Sequence, residues 1–278
     1  MLRELRLVAA LFVALGLTIA ARSDDDVPKK AEPSPALKEA REHMSEFTVQ
    51  GSAKGRDGLI EMLPNPLLTY GDAARNNEAG TLWAWGKSGR PVAFLELYRN
   101  IGNDQPWVHA LTLTSPELIQ LTGQNNPRWT PKKSHFVLKD VPDSPEVGNH
   151  PAVRLRQMKD ISRRFESHQF WDPNNSRFEM RLLVQPVLRY QDEPAKLIDG
   201  AVFVLAHGTN PEVLVQIEAH AGEPPRWRYS LVRLGSAEMH VSLDGKEVWT
   251  EPRTPGVLGQ PVDPYWLFLT APTPAATK

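Results

Sequence analysis

Apolar residues recur at every second position along several stretches of this 278-residue chain, the spacing of strands that bury one face. Residues 81–86 and 92–98 are β-favouring runs on either side of Lys87-Ser88-Gly89-Arg90-Pro91, a turn-rich segment that predicts a hairpin. Residues 107–114 alternate in the same way and extend the hairpin into a meander. Four more strands are expected at 178–190, 200–206, 213–219 and 226–234. A last pair at 239–243 and 246–250 is joined by Asp244-Gly245, a strong two-residue turn signal.

Helical spacing is rarer. Ser34 caps and Pro35 opens a short, solvated helix running to about residue 47, because proline at the first position gives up only an N–H that had no partner. Ser115-Pro116-Glu117 starts a second helix that Gly123 stops. Residues 151–170 read as the longest helix, with Leu155, Met158, Ile161, Ser162 and Phe165 on one face. Residues 124–150 are irregular, with Trp129 as their main apolar anchor. Helices interrupt the strand runs instead of alternating with them. The expected fold class is therefore α+β, a mainly antiparallel, curved β-sheet with one long helix at about 151–170 and a few short helices.

The ends of the chain read differently. Arg3 and Arg6 precede an apolar run at 7–20, followed by Ala21 and then polar residues, the grammar of a signal peptide over 1–21. The run is short of the ~20 apolar residues that cross a bilayer, so no stable transmembrane anchor is expected after cleavage. Residues 22–47 form a polar linker and the short helix, 48–270 a single domain, and 271–278 a disordered tail. These features predict export to the periplasm or the extracellular space. Cysteine is absent, which excludes disulfides, thiolate nucleophiles and cysteine metal sites. A net charge of −1 supplies no positive field for nucleic acid, which is excluded as a partner.

Several phrases carry a family likeness: Pro64-Asn65-Pro66-Leu67-Leu68, Leu82-Trp83-Ala84-Trp85, Gly89-Arg90-Pro91, Arg154-Leu155-Arg156-Gln157-Met158, Asp199-Gly200-Ala201 and Asn210-Pro211-Glu212. Arg181-Leu182-Leu183, Gln185-Pro186 and Arg189-Tyr190 belong to the same set. Over roughly residues 63–249 the chain resembles exported proteins of planctomycete bacteria. That family has no established activity, so the resemblance implies export and carries over no cofactor or site residue.

No standard nucleophile, phosphate-loop, zinc, calcium or dinucleotide motif is present in the sequence. Four constellations remain. If Tyr98 faces Trp107 across the loop, Glu96 lies opposite His109, and the carboxylate would tune the imidazole for acid–base chemistry. The competing reading is a half-exposed charge pair. Glu218 and His220 share a strand face, and His207 ends the preceding strand of the same hairpin, so the three are candidate zinc ligands. That spacing matches no zinc signature, and a polar rim is the competing reading. Arg181 and Arg189 lie on the polar side of one strand and are candidate anion-binding residues, unless they pair with nearby carboxylates. Trp83 and Trp85 share a strand face and form a stacking platform for sugar rings if exposed, or core if not.

The reading favoured by these patterns is a non-catalytic extracytoplasmic module that binds an anionic or carbohydrate ligand or a protein partner, with no cofactor. The alternatives are an extracytoplasmic hydrolase using His109 and Glu96 or a His/Glu metal site, and a structural or assembly protein. Removal of the leader has a direct measurement: N-terminal sequencing of the exported protein is expected to start between Ala21 and Asp24, and a retained Met1 contradicts cleavage.

Overall fold

A strand buried on one face reads as alternation, and a strand buried on both reads as an unbroken apolar run. Both kinds occur here. The computed structural model describes residues 34–51, 58–72, 77–86, 89–100, 105–123, 128–254 and 259–270. The expected signal peptide, most of the linker and the C-terminal tail lie outside the described residues.

The first elements are α1 (Pro35–Met44), β1 (Thr48–Gly51), β2 (Leu59–Ile60), β3 (Leu68–Asp72), β4 (Asn77–Trp85) and β5 (Ala93–Asn100). They are followed by β6 (Trp107–Leu113), β7 (Ile119–Thr122), β8 (Arg128–Trp129), β9 (Lys139–Asp140), α2 (Pro151–Ser162) and β10 (Phe165–Trp171). The chain continues through β11 (Ser176–Asp192), β12 (Leu197–His207), β13 (Asn210–His220) and β14 (Arg226–Arg233). It closes with β15 (Glu238–Leu243), β16 (Lys246–Glu251) and β17 (Tyr265–Thr270).

Among the described residues these strands form three sheets, ordered β2-β1-β7-β8, β17-β6-β5-β4-β3 and β16-β15-β10-β11-β12-β13-β14-β9. The pairings between them are antiparallel. Odd positions of β4 and β5, with Trp83, Trp85, Leu95 and Leu97, pack against α1 and the four-stranded sheet through Ala40, Met44, Val49 and Leu121. Even positions, Leu82, Ala84 and Phe94, pack on Val202, Val204, Ala206 and Leu214 of the eight-stranded sheet. That sheet curls like a half-barrel. Its inner face holds Phe203, Val215, Ile217 and Trp227 under Met158 and Ile161 of α2. β12 and β13 are thus buried on both faces, which explains their nearly continuous apolar sequence.

Two buried carboxylates tie the layers together. Arg90, in the β4–β5 connection, grips Glu218 of β13 through two bonds of 2.7 Å, and Tyr190 adds a third at 2.8 Å. Asp199 of β12 accepts from Arg154 of α2 at 2.8 Å and from Arg189 of β11 at 2.6 Å. Both carboxylates are fully buried; Glu218 has Arg90 as its one guanidinium partner among the described residues, so removing Arg90 costs about 3–5 kcal/mol, whereas Asp199 keeps one arginine when the other is removed.

The structure corrects the expected fold class. The mainly antiparallel, curved sheet forms, but the described residues hold two helices only and lack the long helix and the few short ones that were expected beside it. The helix expected at 151–170 stops at Ser162. From Phe165 the pattern switches to period two, with Phe165, Ser167 and Gln169 turned inward, and β10 completes the ladder between β11 and β15. The helix expected after Ser115 is absent as well. Ser115 Oγ accepts from Glu117 N at 3.1 Å in a local turn, and Ile119–Thr122 then pairs with β1, a tertiary partner that overrides local signals. Helix α1 forms with Ser34 capping Leu37 N, yet it is docked, with Ala40, His43 and Met44 buried. The Asp244-Gly245 hairpin forms, both residues taking the positive φ (52° and 75°) that this tight turn requires.

Helix α1 is held by an imidazole pair. His43 Nε2 and His109 Nε2 lie 2.6 Å apart, with His43 stacked on Trp107 and His109 on Phe268. One ring donates and the other accepts, so the contact requires at least one neutral imidazole. Burial, with His43 alongside, pulls His109 from 6.5 down to about 3, and burial lowers His43 against the opposing effect of Glu39. The unfolded chain therefore takes up protons near pH 6.5 while the folded chain resists them. Stability is complete above that pH and falls as pH drops toward 3, by about 1.4 kcal/mol per pH unit for each such proton. Glu218, held down to about 2 chiefly by Arg90 and His220 against its burial, adds an acid-side loss only below the ordinary carboxylate range. Urea unfolding between pH 7 and 5 is thus expected to report the histidines, and His109→Phe to flatten the slope.

Candidate functional site

The even face of β5 changes character along its length: Phe94 is core, whereas Glu96 and Tyr98 line a cavity of about 600 Å³. Its floor is the row Glu96–Ala110–Leu267 across β5, β6 and β17, with Tyr98 beside Val108. Its other walls are the β12–β13 hairpin end (His207, Asn210, Glu212), the β10–β11 pair (Gln169, Trp171, Phe178) and the β14–β15 connection at 234–237.

The two carboxylates are almost fully buried, Glu96 at 2% and Glu212 at 3% exposure. Each is held by a neutral donor: the Tyr70 hydroxyl bonds to Glu96, and Asn210 Nδ2 donates to Glu212 at 3.0 Å. Tyr70 reaches Glu96 because its ring lies flat over Gly80, its cross-strand partner, where a Cβ would overlap the ring. Burial pushes the Tyr70 phenol well above its ordinary value, and the charge of Glu96 adds to the effect. The Tyr265 phenol is raised by burial too, with Arg233 opposing. Arg233 lies over the Tyr265 ring at 4.8 Å and donates to the carbonyls of Gly235 and Ala237, bracing the 234–237 wall. Arg253 braces the opposite side, 4.2 Å over Trp171 and 2.7 Å from Asp172.

Behind the lining, Gln169 Oε1 and Tyr265 Oη are sealed from solvent and have no hydrogen-bond partner among the described residues. The Gln169 amide nitrogen is occupied by His207 Nδ1 at 2.8 Å, which fixes the amide orientation. The lining combines aromatic and aliphatic residues with carboxylate and amide residues, the composition of a small-molecule site.

The sequence-derived constellations fare differently. Glu96 does line the site, but His109 is not its partner. β5 and β6 are offset by one residue from the expected register, so Glu96 faces Ala110 and His109 faces Leu97 on the opposite side of the sheet. The zinc candidates are separated as well. His220 Nε2 meets Glu218 at 2.6 Å, but His207 sits at the turn end of the hairpin opposite Asn210, while His220 faces Leu197 at the far end. Glu218 is already saturated by Arg90, Tyr190 and His220. No group of three metal-binding side chains occurs among the described residues.

The anion-binding arginines also part. A bulge between Leu183 and Leu188 reverses the facing of β11, placing Arg181 opposite Ala206 and Arg189 opposite Ala201, an odd number of positions apart. Arg181 then donates to Gly208 O and Arg189 to Asp199. Trp83 and Trp85 share a face as expected, but each is 1% exposed and belongs to the core. Gln169, Glu212, Tyr70 and Tyr265 escaped sequence reasoning. Gln169 had a usable signal, the period-two run Phe165-Ser167-Gln169, hidden by its reading as helix.

Comparisons with protein families, curated proteins and solved structures find no match to this chain. The site therefore stands on its own geometry. Gly80→Ala is expected to destabilise the protein by about 1–3 kcal/mol through overpacking against Tyr70. In a Tyr70→Ala background the same change should be nearly neutral, a coupling that a double-mutant cycle by urea unfolding measures.

Proposed function

We propose that this chain is a non-catalytic binding module whose ligand is a small polar molecule held in the cavity between the five- and eight-stranded sheets. The observation that carries this reading is a space of about 600 Å³ lined by the buried carboxylates Glu96 and Glu212 together with Trp171, Phe178 and Leu267. Binding is favoured over hydrolysis because the acid–base pair and the metal triad that would drive a hydrolase are each divided between different faces or ends of the sheets. The arginines that invited an anionic ligand are engaged within the fold.

The module is proposed to work outside the cytoplasm. The apolar run at 7–20 and the polar stretch after it support that placement. No helix among the described residues is long and apolar enough to cross a membrane.

Thermal-shift screening against a library of small polar compounds tests the reading. A ligand of the folded state at 100 times its Kd is expected to add about 2.7 kcal/mol of apparent stability. The shift should vanish in Ser236→Trp, which puts an indole on the 234–237 wall of the cavity. A library without any stabilising compound, or a shift that persists in Ser236→Trp, overturns the proposal.

A further inference from the structure

The face of the five-stranded sheet turned away from the cavity is covered in part by α1, and this cover is held differently from the rest of the fold. Strands are tied to their neighbours by backbone ladders. Helix α1 docks through side chains: Ala40 and Met44 enter the apolar core, Glu39 meets Arg99 of β5 at 3.0 Å, Arg41 meets Asn65 at 2.8 Å, and His43 meets His109 of β6 at 2.6 Å. A helix of ten residues is marginal in water on its own, so α1 keeps its order by staying docked. It is also the first element of the compact unit spanning 34–278, and its departure breaks no strand pairing.

Of these contacts only the imidazole pair titrates near neutrality. Full protonation leaves two donors and no acceptor between the rings and sets like charges side by side among Trp107, Phe47 and Phe268. Among the described residues the charged groups on this side are Glu39 of α1 and the Arg99 of β5 to which it is bonded. Lys38, Arg41, Glu42 and Glu46 lie on the exposed side of the α1 segment. We propose that α1 is an acid-released latch: protonation of His43 and His109 detaches the helix as a unit and uncovers the sheet face around Trp107.

Burial lowers both rings while α1 is docked, His109 to about 3, with Glu39 opposing the effect at His43. Once the helix leaves, both rings return to water and to their ordinary value. Docking is therefore complete above about pH 6.5 and weakens as pH falls toward the lowered values, the released fraction rising about tenfold per pH unit for each proton taken up.

Hydrogen–deuterium exchange of the full chain between pH 8 and 5, corrected for the intrinsic rate at each pH, tests this. The opening constant of residues 39–44 is expected to rise at least about tenfold per unit below pH 6.5, while residues 93–97 and 107–113 stay protected. His109→Phe leaves one titrating ring and is expected to reduce the slope. His43→Gln is expected to do the same while keeping a hydrogen-bonding amide beside His109, which guards against a folding defect in the first variant. A purely structural contact would change protection in these variants equally at every pH and leave the slope alone. An opening constant independent of pH, exchange of α1 only in step with the sheet, an unaltered slope in both variants, or an α1 already unprotected at pH 8 overturns the proposal.

Discussion

Over residues 80–85 of β4 and 93–97 of β5 the side chains are buried on both faces, and the layered architecture follows from that constraint. Trp83, Trp85, Leu95 and Leu97 anchor one neighbour, while Leu82, Ala84 and Phe94 anchor the other. Fully burying each large apolar side chain of this kind contributes about 1.5–3 kcal/mol, so the sheet is the common partner on which α1, the four-stranded sheet and the eight-stranded sheet depend. A polar group on either face must then find a partner inside the protein or line a space. His109 takes the first course with His43, and Glu96 lines the cavity while bonded to Tyr70.

The buried charges belong to the same logic. Glu218 and Asp199 sit on adjacent inner strands of the curled sheet, β13 and β12, where a lone carboxylate is untenable; Glu218 is matched by Arg90 and Asp199 by Arg154 and Arg189. Arg90 reaches across from the five-stranded sheet, and Arg154 comes down from α2, so these pairs set how the layers register as well as satisfying charge. Pairing of this kind consumes the arginines that appear in sequence as a cationic face.

The cavity arises where the apolar contact between the sheets ends. Phe94 belongs to the shared core, whereas Glu96 and Tyr98, two and four residues further along β5, face walls supplied by three other parts of the chain. Its residues come from β5, β6, β10–β13, the β14–β15 connection and β17, with Tyr70 of β3 supporting Glu96 from behind. Side chains so far apart in sequence meet because the eight-stranded sheet brings the β12–β13 turn and the β10–β11 pair back over the same edge.

Local signals were enough for the elements whose information is local. The β4–β5–β6 meander, the Asp244-Gly245 turn, the four strands from β11 to β14 and the capped start of α1 are legible from alternation, turn chemistry and capping. Trp129 as the anchor of its irregular segment is legible for the same reason. Other features depended on partners the sequence does not name. β7 is a strand because β1 lies beside it, and β10 is a strand because β11 and β15 flank it. A one-residue offset separates Glu96 from His109, and one bulge separates Arg181 from Arg189, because facing in a sheet has a period of two and any odd slip reverses it. Sequence alone thus determined most strand positions and the presence of Glu96 on a β5 face. Tertiary structure alone decided which faces were solvent, which were core, and which enclosed the cavity, since burial is a property of neighbours and not of the residue itself.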